Sequence, residues 1–378
     1  MTAAFVTIAG AYVVLTAVRF ALTLSWFRRR PAPCVTADAS ADVTVLQPIL
    51  SGDPTLAATL AANQAAHPKA RFLLLVDDDD PEGQRIAAPL SRSAATSVAV
   101  GPPPRPGENP KVAKLARAFP LVSTPFFAVL DDDTVLPAGA LTEAISALEG
   151  GAHLATGLPW YNPTGNIWSG LLAAFVNGSA LITYPAASAA HRQRTINGMF
   201  YLGRTDELRA LGGFDRMRGE LIDDYAMAKL YLDAGHRIVQ TAIVHPISTT
   251  VTGPAHYARM MRRWMIFGLR YMRENRSVFT LGIIGGPTLL PPLMLVAGLL
   301  AGPTTLAAAL TVLAVKTLAT AWLHAAVHNR APSPADAALQ LVADVLTPFH
   351  LAAALIRPDR LTWRSRSIRL TEGRIEYE

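Results

Sequence analysis

The 378-residue chain has one cysteine, Cys34, few aromatic residues (7%) and few charged ones (16%). A single thiol excludes an internal disulfide, so nothing ties the fold to an oxidising compartment. So small a charged share, against 51% hydrophobic residues, is far from an ordinary soluble composition and favours a membrane protein. The sequence also lacks a basic motif interleaved with aromatics, so its formal charge of +6 does not point to nucleic acid. The arginines flank apolar runs, where anionic lipid headgroups are the natural partner.

Long apolar runs are what the sequence does have. Residues 4–26 match the ~20 residues needed to cross a bilayer, and Arg28, Arg29 and Arg30 follow at once, which places that end inside. A cleavable signal peptide would carry its charges before the run, so a membrane anchor over 1–30 is expected. A Pro/Ala-rich linker, 31–41, leads into residues 42–275, where short β-rich runs alternate with helical patterns. That alternation implies an α/β domain with a largely parallel sheet. Residues 43–48 read as the first strand and 54–66 as a helix. Residues 72–76 and 126–130 read as strands that run into aspartates, at the strand ends where open α/β sheets bind ligands.

Beyond Trp264, two apolar stretches, 279–302 and 304–327, read as a transmembrane hairpin within a membrane region 276–356. A third stretch, 335–356, contains Asp336, Asp344, Pro348 and His350. A crossing there would bury charge and put the basic tail, 357–378, outside, so a re-entrant or interfacial segment is expected. Residues 167–187 are apolar but broken by Asn177, Gly178 and Pro185, and read as an interface-lying helix. Lys316, His324 and His328 read as snorkelling or helix-facing groups rather than a proton pathway.

Four groups of residues can carry chemistry. Asp77, Asp78, Asp79 and Asp80 precede Pro81; a carboxylate there can accept from a base or ribose, and Asp-rich segments before proline also form ordinary turns. Asp131, Asp132 and Asp133 weigh more, because three acids behind a wholly apolar strand repel one another without a cation. A hard divalent ion relieves that repulsion and neutralises a departing diphosphate. Asp223 and Asp224 precede a helical pattern, which one acid can cap while the other deprotonates an acceptor hydroxyl. A helix N-terminus lowers a carboxyl pKa, so burial or neighbouring acids must keep such a base basic. Arg262, Arg263 and Trp264 suit both an interface anchor and a phosphate grip with an acceptor wall, and residue type alone leaves both readings open.

In this order the features resemble the ceramide glucosyltransferase family, membrane enzymes with the nucleotide-diphosphosugar transferase fold called GT-A, whose bacterial relatives include hopanoid-lipid glycosyltransferases. The likeness runs through VLQPILSGDPTL, LLLVDDDDP, GENPKVAKL, LDDDTVLP, LIDDYAMAK, MRRW and LTWRSRSIRL, nearly the whole chain. It implies an α/β GT-A domain between an N-terminal transmembrane helix and C-terminal membrane helices. It implies an inverting transferase that uses a divalent cation, Mg²⁺ or Mn²⁺, and moves a sugar from a UDP-sugar onto a membrane lipid hydroxyl. By the same resemblance Asp77 contacts the nucleotide, Lys111 meets phosphate, and Asp131 and Asp133 hold the metal and diphosphate. Asp224 is then the catalytic base, Arg263 and Trp264 close the site, and the catalytic domain faces the cytosol on a bacterial-type inner membrane. One departure stands out: the family has Gln or Arg three positions before the Arg-Trp pair, where this chain has Met260, with Arg259 one residue earlier.

Two other classes compete. Residues 131–136 also fit the strand-end pattern of haloacid-dehalogenase-type phosphatases, with Asp131 as nucleophile and Asp133 as acid/base, although that strand usually opens such domains. Loss of an essential acid would favour a non-catalytic lipid-binding membrane protein, but Asp77, Asp131, Asp133 and Asp224 are all present, and only the Met260 departure lends that reading weight. A processive polysaccharide synthase needs more crossings than these apolar runs provide.

Overall fold

The computed structural model describes residues 1–29, 34–35, 37–163, 165–328, 331–356, 360–363, 366–371 and 374–377. Arg30, part of the expected linker and part of the basic tail lie outside the described residues. The chain divides into an α/β unit (31–160, 193–250 and 362–378) and a helical unit (1–30, 161–192 and 251–361).

The α/β unit is built on seven strands: β1 (Val43–Pro48), β2 (Arg71–Asp77), β3 (Thr96–Gly101), β4 (Phe126–Leu130), β5 (Leu154–Tyr161), β6 (Phe200–Arg204) and β7 (Ile238–Ile247). They lie in the order β3-β2-β1-β4-β6-β5-β7. Strands β3, β2, β1 and β4 are parallel, with Val45 between Phe72 and Ala128. Strand β6 is antiparallel to both β4 and β5, so β4 and β5 run the same way with one inverted strand between them. The sheet is therefore mixed. The helix–strand alternation predicts the parallel strands, because each is reached by a crossover. It does not predict β6, which arrives only after the chain has left for residues 161–192 and returned.

Both faces of the sheet are covered, and β2 and β4 accordingly read as apolar runs. Val43, Val45, Phe72, Leu74, Phe126 and Ala128 pack with α2 (Leu56–Ala66), α3 (Pro81–Ala87) and α5 (Ala140–Glu149). The alternate residues Leu46, Leu73, Leu75, Phe127 and Val129 pack with α4 (Pro110–Ala118), α8 (Thr205–Ala210) and α9 (Asp223–Asp233).

The helical unit holds α1 (Thr2–Arg29), α6 (Ile167–Asn177), α7 (Tyr184–Ala189), α10 (Pro254–Glu274), α11 (Val278–Thr280), α12 (Gly286–Ala301), α13 (Pro303–His328) and α14 (Pro334–Ile356). Phe5 and Tyr12 of α1 pack with Met294 and Ala297 of α12 and with Ala309 and Leu313 of α13. Among the described residues, five segments are long and apolar enough to cross a membrane: Thr2–Arg29, Ile167–Ala189, Val278–Ala301, Pro303–Val327 and Pro334–Ile356. The expected anchor and hairpin are among them, and so are the two stretches read as interfacial. Asp344, which counted against a crossing by α14, lies 2.8 Å from Lys316 of α13, so the acid is neutralised within the helical unit. His324 donates to the carbonyl of Asn177 at 2.7 Å, a helix-facing contact. At the C-terminus, β8 (Arg360–Trp363), β9 (Arg366–Thr371) and β10 (Arg374–Tyr377) form a small sheet in which β9 and β10 are antiparallel.

Candidate active site

Strand β4 ends in the three acids, and the turn sends them to different partners. Asp132 is buried, and its carboxylate accepts from the Leu50 amide at 2.8 Å, so it braces the loop after β1. Asp133 accepts from the hydroxyls of Thr249 (2.7 Å) and Thr134 (3.2 Å), and its carbonyl receives the Ser248 amide. Asp131 lies 2.7 Å from the Lys111 ammonium.

Lys111 comes from α4. Asn109 caps that helix by accepting from the Lys111 and Val112 amides, and Pro110 fixes the first helical residue. The Lys111 ammonium donates to the Gly198 carbonyl at 2.8 Å and lies 3.1 Å from Asp223 Oδ2, off the hydrogen-bonding direction, so that buried oxygen is held by charge alone. Asp223 and Asp224 are the first residues of α9. The Asp224 carboxylate accepts from the Tyr225 amide at 2.6 Å and lies tight against residue 198, where a Cβ would be 3.1 Å from that of Asp224. A glycine is what lets the acid approach so closely.

Burial, then Asp223, pushes the Asp224 carboxyl up to about 7, against the pull of Lys111. That push overcomes the lowering expected at a helix N-terminus. Burial, opposed by Lys111 and reinforced by Asp133 and Asp223, raises Asp131 to about 6. Its side chain keeps 28% of its surface, so solvent moderates the effect. Burial pulls Lys111 down, but Asp131 and Asp223 outweigh it and hold the ammonium well above the ordinary lysine value. The cation is thus fixed, and the protons that can move lie on the acids. Among the described residues no three His, Cys, Asp or Glu side chains converge as a metal cage.

The first acidic group is divided. Asp77, almost fully buried, lies 3.1 Å from Lys114 and 3.3 Å from Arg117, both on α4. Asp80 caps α3, accepting from Gly83 and from the amide and hydroxyl of Ser51, while Asp78 and Asp79 are exposed. The ordinary turn reading therefore describes Asp80, and Asp77 stands apart as an ion pair. Lys114 and Arg117 were not singled out from the sequence; their only signal is the three-residue spacing from Lys111 behind an Asn-Pro helix start.

Arg263 and Trp264 belong to the helical unit, on α10. The Trp264 ring is stacked at 6.0 Å on Phe175 of α6 and meets Tyr161 edge-on at 5.9 Å. Met260 is buried, whereas Arg259 is exposed. Met260 packs as a hydrophobe, and Arg259, one residue earlier on the helix, points elsewhere and does not take its position.

The family model for glycosyl transferase family 21 matches residues 4–376. No curated protein is similar enough to match the chain. Among solved structures, a mannosyltransferase from Pyrobaculum calidifontis, in complex with GDP-Man and Mn²⁺, is 19% identical over 93% of this chain and 98% of its own, with a TM-score of 0.50. That likeness is one of fold. A glucosyl-3-phosphoglycerate synthase from Mycobacterium tuberculosis, in complex with Mn²⁺, UDP and phosphoglyceric acid, is 14% identical over 63% of this chain and 83% of its own, with a TM-score of 0.37.

Proposed function

This chain belongs to glycosyl transferase family 21, the resemblance to ceramide glucosyltransferases is borne out, and on that premise we propose that it moves a sugar from a UDP-sugar onto the hydroxyl of a membrane lipid with inversion at the anomeric carbon. The acceptor is of the ceramide or hopanoid type. The catalytic unit is assigned to the cytosolic face of an inner membrane, a reading supported by Arg28 and Arg29 in the last turn of the first apolar helix. The observation that carries this reading is Asp224: a buried carboxyl pushed up to about 7, ready to take a proton near neutral pH.

In this mechanism Asp224 accepts the proton of the acceptor hydroxyl as its oxygen attacks the sugar carbon, and the nucleoside diphosphate leaves from the opposite face. Burial, with Asp223, keeps the base from acidifying, and Lys111 holds the acids together. A divalent cation fits the residues present: Asp131 and Asp133 offer hard oxygens at one strand end, where Asp131 shares its one cation, Lys111, with Asp223. Asp131 and Asp133 would hold the ion, which when bound offsets the charge of the departing diphosphate. Asp77, set by Lys114 and Arg117, is assigned to the nucleotide. Lys111 is engaged by Asp131 and the Gly198 carbonyl, so its proposed part is to balance the acids where it meets the phosphate. Arg263 is assigned to the diphosphate, and Trp264, with Phe175 and Tyr161, offers an aromatic wall suited to a lipid acceptor.

Purified full-length protein in detergent, supplied with Mg²⁺ or Mn²⁺, labelled uridine and guanosine diphosphosugars and membrane lipid extract, is expected to yield labelled lipid from a uridine donor. No labelled lipid across the panel, or release of inorganic phosphate from phosphoesters without sugar transfer, would overturn the proposal.

A further inference from the structure

The Asn109 side chain has no solvent exposure, and its two ends do different things. Its Oδ1 caps α4, accepting from the amides of Lys111 (3.0 Å) and Val112 (3.2 Å). Its Nδ2 donates across to the Glu220 carbonyl at 3.0 Å and reaches that of Leu221 at 3.5 Å. Its backbone amide donates to the Arg218 carbonyl at 2.6 Å. One residue earlier, Glu108 pairs with the Arg218 guanidinium at 3.2 Å. Asp223, the first residue of α9, begins two residues beyond Leu221.

Capping needs only an acceptor, and Ser, Thr, Asp and Asn all supply one. The amide NH₂ is what Asn adds, and here it binds the approach to the acids. We propose that Asn109 is a positioning residue for the transfer reaction: through its Nδ2 it fixes the start of α9 against α4, and so holds Asp223 and Asp224 in register with Lys111. This inference rests on the transfer chemistry proposed above. Asp224 is confined on its other side by the turn at Gly198, where even a methyl group would crowd it. The acidic start of α9 is gripped from both directions. Releasing the Asn109 side would let Asp223 and Asp224 shift out of register with Lys111, because the acids around that one lysine repel one another. A misplacement of about 1 Å at a reacting group can cost on the order of a hundredfold in rate.

Two variants separate the tether from the cap. Asn109→Asp and Asn109→Ser both keep an N-cap acceptor, and neither carries the amide donor; using both removes the added charge as an explanation. In full-length protein each is expected to lower kcat by about ten- to a hundredfold with the donor KM within about twofold of wild type. Amide hydrogen exchange on the sugar-free protein supplies a readout that does not need turnover. Exchange over residues 218–226 should rise about tenfold in both variants while that of 111–118 stays unchanged. Transfer within about twofold of wild type in both variants, or faster exchange spread equally over 111–118 and 218–226, would overturn the proposal in favour of a plain helix cap. Should the wild-type protein transfer no sugar to any lipid, the functional reading fails, and the exchange experiment still decides whether the tether exists.

Discussion

One carboxylate, Asp77, meets two cations, whereas three carboxylates, Asp131, Asp223 and Asp224, gather around one. All the cations concerned lie on the same helix, α4, so the contrast comes from the acids. The Asp77 group is electrostatically complete, with a slight excess of positive charge. The Lys111 group holds more carboxylates than cations, and burial together with the neighbouring acids raises Asp131 and Asp224. A finished ion pair fixes geometry; an unfinished one takes up a proton or a cation. The second cluster is therefore where chemistry is expected, and the first is the proposed place for the nucleotide.

The sharpest way to break that contrast is Asp224→Asn. Transfer should fall about a thousandfold, with donor binding within about twofold, as read by single-turnover kinetics beside calorimetry. If transfer survives near the wild-type rate, Asp224 is not the base. Lys114→Met attacks the completed side instead. It leaves buried Asp77 with Arg117 alone, and a loss of about 3 kcal/mol is expected as a drop in thermal midpoint; an unchanged midpoint would mean that the pair contributes little. Asp131→Asn and Asp133→Asn should each weaken UDP binding by about tenfold or more in the presence of Mn²⁺ and little in its absence. Equal weakening under both conditions would remove these acids from the metal site.

The smallest effect is on stability. Because the folded carboxyl of Asp224 sits near 7, above its ordinary 3.8, its contribution is fully present below pH 4 and is lost as pH rises through 7. In metal-free protein, Asp224→Asn should then raise the thermal midpoint at pH 8, by the equivalent of about 1 kcal/mol, and leave it unchanged near pH 4. A midpoint difference that is the same at both pH values would contradict the raised carboxyl. The wild-type rate should climb with pH to a plateau above about 7.

The strands of this chain were legible where burial on both faces left short, mostly apolar runs. Residues 43–48 and 126–130 were located to the residue because apolar runs ended in Pro or Asp. Strand β6 was not, since nothing local records that a chain will leave a sheet and re-enter it inverted. Within the site, Asp131, Asp133 and Asp224 could be picked out as acids at strand and helix ends, but Asp132 looks the same in sequence and turns instead to the Leu50 amide. Lys114 and Arg117 resemble ordinary helix-surface cations. What they meet depends on β2 ending beside α4, a long-range placement that no local spacing encodes.

Because α4 carries Lys111, Lys114 and Arg117 on nine residues, the helix has no tolerance for a change in length. Inserting one residue after Pro110 would rotate everything beyond it by about 100° and shift it by about 1.5 Å, unpairing both acidic groups at once. The preceding stretch, GPPPRPG over 101–107, carries none of these cations and can absorb such an insertion. Natural length variation and engineered insertions in this region should accumulate before Asn109 and stop there.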